Sequence, residues 1–277
     1  IGGKMVVVQS MLPTVGAGKL KARDIPAAKL LGSDKEHTLL APDPGDDGTF
    51  YKTKAVDFSR QQISVDMFLA SPSGAYIDVA TIGALSRYTA GQVYLYPGFA
   101  AAEAERYHRD FTRNLMRTTG FEAVMRIRAS HGLSVVNFYG NFFIRGTDLL
   151  ALPNVTCDTA FNVELAHGES VLQAGSVVTI QAALLYTTSA GERRISVHTL
   201  AKPVTTLLTD LFRGVDVDVV CNMLAKVALD NALRVGIPAA RRYLHRAVVD
   251  IIRGYRASTT ALGGGGGAVQ VAAGGGD

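Results

Sequence analysis

The chain has 277 residues, with 28 Lys and Arg against 24 Asp and Glu, 48% apolar residues, two cysteines and no tryptophan. That length exceeds what one hydrophobic core usually serves, so two or three domains are expected, and the composition excludes general disorder. No apolar run approaches the ~18 residues of a spanning helix, and the net charge of +4 is too mild to choose between membrane, nucleic acid and neither. Lys4 to Gln9 reads as a buried strand. The segment from Gly32 to Gly48, with Asp43, Pro44, Gly45, Asp46 and Asp47, reads as a loop whose paired acids form a solvated turn. Tyr51, Ala55 and Phe58 then recur at helical spacing, after which Ile63, Val65, Met67 and Leu69 alternate with polar residues at strand spacing. Asp78 is placed to cap a helix reaching Tyr88, and Val93 to Tyr96 is a strand closed by Pro97-Gly98. This alternation implies a mostly parallel α/β sheet.

Ala102 to Arg117 is an amphipathic helix with Tyr107, Phe111 and Leu115 on one side. Short β-type runs follow: Ala123–Arg128, Leu133–Phe138, Ala160–Leu165, Val177–Tyr186 and Ile195–Thr199, the pattern of an antiparallel sandwich. From Pro203 the pattern is helical, with apolar stripes through Leu211, Val220 and Leu244, and Pro238 suits a first helical turn. Arg241, Arg242 and Arg246 read as a solvated helix face. The fold class is multidomain: a parallel α/β domain over 1–102, an antiparallel β-sandwich over 103–200, a partial all-α domain over 201–258 and a glycine-rich disordered tail over 259–277.

No catalytic constellation emerges. Gly16-Ala-Gly18-Lys19 follows a strand, but Pro13 and Leu20 stand where a phosphate loop needs Gly and Ser or Thr, so an ordinary glycine turn is expected. The six histidines have no partner at ligand spacing, and Cys157 and Cys221 are far apart, which favours a reducing compartment over a disulfide or zinc framework. With no leader ahead of the first strand, the glycosylation-like Asn154-Val-Thr156 is not expected to be used. Arginines are dense from Arg106 to Arg145, and most read as a solvated face with local ion pairs. Arg126 and Arg128 differ. Two positions apart on one strand, they share a face and can address one acidic ligand.

Longer strings carry a resemblance. Gly2-Gly-Lys-Met-Val-Val-Val-Gln9, Leu12-Pro-Thr-Val-Gly16, Ser33-Asp-Lys-Glu-His37, Tyr96-Pro-Gly-Phe99, Phe121-Glu-Ala-Val-Met-Arg-Ile-Arg128, Thr147-Asp-Leu-Leu-Ala-Leu-Pro153 and Gln181-Ala-Ala-Leu-Leu-Tyr-Thr187 resemble the Sec23/Sec24 family of COPII coat subunits, in its cargo-adaptor branch. The likeness runs in order over residues 1 to 256. It implies the C-terminal part of a von Willebrand A-like trunk domain, then the β-sandwich and part of a helical domain.

The resemblance further implies a non-enzymatic role in selecting cargo at the cytoplasmic face of endoplasmic reticulum exit sites. Expected partners are the GTPase-activating COPII subunit as a heterodimer, cargo and SNARE export peptides, an acidic membrane surface, and indirectly a small GTPase and the outer coat; nucleic acid is not among them. The family's arginine pair maps onto Arg126 and Arg128, and its pocket leucine onto Leu184. No cofactor is implied within the chain; a structural zinc belongs to a four-cysteine module expected before residue 1. A second family pocket needs a tryptophan that this chain lacks, and Ser196 stands where the family usually carries another arginine. The rival readings are the paralogous GTPase-activating subunit and an A-domain adhesion protein, whose Asp-x-Ser-x-Ser loop is not found.

Overall fold

The computed structural model describes residues 2–24, 28–146, 148–168 and 172–263. Residues 1–172 with 177–202 form one compact unit, and residues 173–176 with 203–277 form another.

In the first unit, β1 (Gly3–Gln9), β2 (Ile63–Ser71) and β3 (Val93–Pro97) form a parallel sheet in that order. Central β2 is buried along nearly its whole length, as a strand with two neighbours and covered faces should be. The Lys4–Gln9 run is instead an edge strand among the described residues, pairing with β2, and its Met5 and Val8 side chains are exposed. Helix α1 (Asp46–Arg60) packs Tyr51 and Phe58 onto the core of Val65, Met67, Leu69 and Ile82. Asp46 opens that helix rather than lying in a loop, which places a negative charge where backbone N–H groups are free. Glu36–Leu40 likewise forms a short 3-10 turn. Asp78 caps α2 (Val79–Ile82), and Gly83 separates it from α3 (Ala84–Tyr88), so the expected single helix is broken in two.

Helix α4 (Ala104–Met116) lays Tyr107 and Phe111 against Phe68 at 5.7 and 5.1 Å between ring centroids, and Tyr107 against Tyr96 at 5.3 Å. A break at residue 102 assigns this helix to the sandwich. Its aromatic stripe packs on the parallel sheet.

The sandwich has a five-stranded sheet in the order β10-β9-β4-β7-β6 and a two-stranded sheet β5-β8. These strands are β4 (Thr119–Ala129), β5 (Leu133–Tyr139), β6 (Phe143–Ile144), β7 (Leu149–Thr156), β8 (Asn162–His167), β9 (Val177–Thr187) and β10 (Arg193–Pro203). Strands β6 and β7 go beyond the expected set. Pro153 masks β7 in the sequence, yet it stands opposite Glu122, whose φ of 51° marks an irregularity in β4, so its missing N–H costs no regular ladder bond. Ala123, Met125, Ile127, Leu150 and Leu152 form the sandwich core.

The second unit contains α5 (Leu208–Arg213), α6 (Val217–Val235) and α7 (Ile237–Gly263). The Asp216 carboxylate accepts the Val219 N–H at 3.2 Å to cap α6, and Phe212 meets Tyr255 edge to face at 5.5 Å. Residues 259–263 of the expected tail finish α7, helped by Thr259 and Thr260 hydroxyls donating to the Arg256 carbonyl. Residues 264–277, also read as disordered, lie outside the described residues. Arg241, Arg242 and Arg246 are exposed along α7. Among the described residues no helix is long and apolar enough to cross a membrane.

Candidate functional site: the outer face of the sandwich sheet

Alternation along β4 divides its side chains between two faces. Ala123, Met125 and Ile127 enter the core, while Arg126 and Arg128 project from the opposite face and are exposed. The expected arginine pair is therefore present. Arg126 donates from Nε to Asp148 Oδ2 at 2.6 Å, and both side chains remain partly open to solvent. That bond fixes the guanidinium through one nitrogen and leaves its terminal nitrogens for another acceptor. Arg128 has no ion-pair partner among the described residues.

Leu184 does not join them. It stands opposite Met125 in the β4–β9 ladder, and directly paired residues of an antiparallel sheet share a face. Leu184 consequently packs on the core of Ala123, Met125 and Leu150, behind the arginines. The residues paired with the arginines are Ala183, opposite Arg126, and Gln181, opposite Arg128; Leu185 is opposite Val124. The β9–β10 hairpin has one register from end to end. Thr188 N donates to the Glu192 carbonyl and Val204 N to the Ser176 carbonyl, both at 2.8 Å, while Gln181 Nε2 reaches Thr199 Oγ1 at 3.2 Å. In that register Val197 is opposite Ala183 and Ile195 opposite Leu185. One row thus reads Leu149, Arg126, Ala183, Val197, and the next reads Ala151, Val124, Leu185, Ile195. Period-two alternation from Arg126 across three strands was the signal available for Leu185, Ile195 and Val197; the single string Ala182-Ala183-Leu184-Leu185 does not reveal which leucine faces out.

The other dense arginines are mostly tied locally. Arg106 pairs with Glu103 at 3.3 Å, Arg109 approaches Asp110 at 3.8 Å, and Arg113 meets Asp158 at 2.8 Å. Arg145 donates to the Ser59 carbonyl at 3.3 Å. Arg117 departs from the expectation of a solvated face: its side chain is only 7% exposed, between Asp66 at 3.7 Å and Asp158 at 3.6 Å. Asp66 also receives Lys4 Nζ at 2.9 Å, Asn114 Nδ2 at 2.7 Å and the Gln92 N–H at 2.7 Å. This charge cluster lies where the parallel sheet, α4 and the turn after β7 meet and ties the three together. The Arg113 hydrogen bond holds the Asp158 carboxyl below its ordinary value, against the smaller opposing effect of desolvation.

Other candidates serve structure. The Gly16–Lys19 segment is a turn: the Tyr51 hydroxyl donates to the Gly18 carbonyl at 2.6 Å, and a side chain at Gly18, where φ is +75°, would strike the Phe50 ring. A concavity of about 330 Å³ is lined by Arg23, Leu31, Leu39, Leu40 and Tyr76, but Arg23 is already bonded twice to Asp78 and once to the Ala41 carbonyl. Both cysteines are free and exposed, and no group of three His, Cys, Asp or Glu among the described residues is placed to hold a metal.

A parallel α/β layer joined through the Asp66 charge cluster to an antiparallel sandwich defines a two-domain α/β-plus-sandwich architecture. The chain belongs to the Sec23/Sec24 family: the Sec23/Sec24 trunk domain matches residues 1–115 and the Sec23/Sec24 beta-sandwich domain residues 120–205. Within the family it falls in the Sec24 branch. Human protein transport protein Sec24A is 44% identical over 261 residues, covering 93% of this chain and 23% of the relative. Protein transport protein SEC24 A of Arabidopsis thaliana is 40% identical over 259 residues, covering 92% and 24%. The crystal structure of the human COPII-coat protein Sec24c superposes with a TM-score of 0.84 at 36% identity, covering 93% of this chain and 33% of that one. The chain spans about a quarter of the length of the curated relatives it matches.

Proposed function

We propose that this chain is the central part of a COPII cargo adaptor, which selects proteins for export from the endoplasmic reticulum by binding short cytoplasmic signals carrying an acidic residue. It works by recognition, not catalysis. The observation that carries the reading is the pair of exposed arginines on one face of β4, one of them without an ion-pair partner among the described residues. A guanidinium fork suits a peptide carboxylate, and a charge-assisted hydrogen bond contributes about 1.5–3 kcal/mol. Such an adaptor pairs with the GTPase-activating coat subunit as a heterodimer, meets the small GTPase and the outer coat through the assembly, and faces the acidic cytoplasmic leaflet at exit sites.

The test is peptide binding by fluorescence anisotropy on the full-length protein carrying Arg126→Ala and Arg128→Ala. Affinity for an acidic export peptide should fall by roughly tenfold or more, in line with loss of a charge-assisted contact. Unchanged binding in the folded double variant rejects the assignment. The rival paralogue is separated by a GTP hydrolysis assay with the small GTPase: stimulation by this protein alone favours the GTPase-activating subunit. The match to Sec24 relatives supports the adaptor. Membrane contact is checked by sedimentation with acidic liposomes, where salt should weaken binding because exposed charges are screened.

A further inference from the structure

Where β7 ends against the parallel sheet, several polar groups are buried without partners among the described residues. Asn154 on β7 is 4% exposed, and both polar atoms of its carboxamide lack a hydrogen bond there. Arg117 uses its terminal nitrogens elsewhere. Nη1 donates to Gln92 Oε1 at 3.0 Å and lies 3.6 Å from Asp158, while Nη2 lies 3.7 Å from Asp66. The Arg117 Nε is buried and unpartnered as well. Both residues line one cavity of about 10 Å³, together with Lys4, Asp66, Thr156 and Thr159. A buried polar atom left unpaired is costly, and native interiors satisfy the great majority, so three around one space point to a ligand.

We infer that this cavity is a binding site for one water molecule, which bridges Asn154 of the sandwich to Arg117 after α4. Its size suits a single water, which needs ~10–15 Å³. Charge excludes an ion. Lys4 and Arg117 are matched by Asp66 and Asp158, so an added anion or cation would be a buried charge without compensation. The donors and acceptors narrow the occupant further. Arg117 Nε and Asn154 Nδ2 each have a hydrogen to give, and Asn154 Oδ1 has lone pairs to fill. The occupant therefore accepts twice and donates at least once. A halide has no hydrogen to donate, and an ammonium ion has no lone pair to accept; water has both. Its second hydrogen finds the hydroxyl oxygens of Thr156 and Thr159 in the same lining.

The inference stands apart from the adaptor reading, since it concerns how the two layers join and not what the outer face of the sandwich binds. It also accounts for Asn154-Val-Thr156. Leu150 and Leu152 earlier on β7 belong to the apolar core, yet the strand then places a carboxamide at a buried position. A polar side chain there is costly unless it is hydrogen-bonded, and the water supplies the bonds. Asn154 belongs to the strand paired with β4, Arg117 caps the end of α4 and Asp66 lies on β2. The bridging water thus extends the Asp66 cluster from the parallel sheet to the sandwich strand itself.

The experiment is a crystal structure of the full-length protein at a resolution that shows ordered water, from crystals grown with bromide in place of chloride. The expected result is one density peak about 2.7–3.2 Å from Arg117 Nε and from the Asn154 carboxamide, without anomalous scattering. An anomalous bromide peak at that position would show an anion site, and a direct hydrogen bond from Arg117 Nε to Asn154 Oδ1 with no peak between them would show a closed joint. Either result overturns the proposal. Asn154→Leu supplies a second reading. It fills the space with an apolar side chain of similar size, so the peak should disappear and leave Arg117 Nε unpaired. Amide exchange in the peptides of β7, followed by mass spectrometry, should then quicken by about tenfold. Exchange within about twofold of wild type in this variant would show that the bridge contributes nothing, and the inference would fail. If Asn154→Leu does not fold, the wild-type density decides by itself.

Discussion

Replacing Asp66 with Ala removes the acidic centre of the cluster that ties β1, β2 and the end of α4 to the turn after β7. The Asp66 side chain is 3% exposed and compensates Lys4 at 2.9 Å and Arg117 at 3.7 Å; it also accepts from Asn114 and from the Gln92 N–H. Breaking a buried pair from one side costs about 3–5 kcal/mol, because the remaining charge stays buried without its partner. The lower end applies here: Lys4 still donates to the Asn114 carbonyl at 2.9 Å, and Arg117 retains Asp158 at 3.6 Å. A loss of about 3 kcal/mol corresponds to roughly 150-fold faster amide exchange where exchange follows opening of the whole unit. Hydrogen exchange with mass spectrometry on the peptides of β2 and β3 measures it. Combining Asp66→Leu with Lys4→Met should recover part of the loss, since apolar replacement of both partners is often neutral. Exchange within about twofold of wild type in Asp66→Ala would show that these charges are effectively solvated, and the account of the cluster would fall.

Leu184→Ala should destabilise the first unit by about 1–3 kcal/mol, less than for a fully enclosed leucine because Leu184 is only half-buried. In the folded fraction it should leave the affinity for acidic peptides within about twofold; urea unfolding beside anisotropy checks both, and lost binding at unchanged stability would place Leu184 in the recognition surface after all. Acidification should weaken the first unit partly through Asp158. Its carboxyl is held below the ordinary value of 3.8 by the Arg113 hydrogen bond, so its contribution is complete above that value and is lost as pH falls through the lowered one. Asp158→Asn should flatten the stability curve below about pH 4, and an unchanged acid slope in thermal unfolding would refute the assignment.

The elements with a strong period were legible in the residues, and the failures have separate causes. Alternation from Ile63 to Leu69 and the aromatic spacing of α4 announced a strand and a helix. What α4 packs against was not visible, because a stripe of Tyr107 and Phe111 fits a sheet on either side of it. Strand β7 was hidden by Pro153, which is tolerated only because its partner position, Glu122, is irregular, a fact of the neighbouring strand. Arg126 and Arg128 were recoverable from local alternation alone. Leu184 was misplaced because the face of a residue on β9 is fixed by its register with β4, and Ala182-Ala183-Leu184-Leu185 carries apolar residues at both phases. Arg117 was taken for a surface charge because its acidic partner Asp66 lies 51 positions earlier, on another element.

The two faces of the five-stranded sheet have different energetic duties, and the proposed recognition surface would accordingly be both exposed and weak. Met125, Leu184 and Leu150 hold the layers together on one face, where loss of a side chain is felt as stability. On the other face, the proposed charge-assisted contact of about 1.5–3 kcal/mol stands before the entropy of ordering a peptide is subtracted. That corresponds to dissociation constants in the millimolar range or weaker. A single adaptor with such a site would retain almost nothing. If the proposed adaptor role holds, many copies arrayed over one membrane, each raising the effective concentration for the next contact, would turn weak selection into retention and release it once the array disassembles. An outer face rebuilt for tight binding would lose that reversibility, whereas a substitution at exposed Arg128, which lies off the core-facing side of β4, would alter the proposed contact without drawing on the stability of the core.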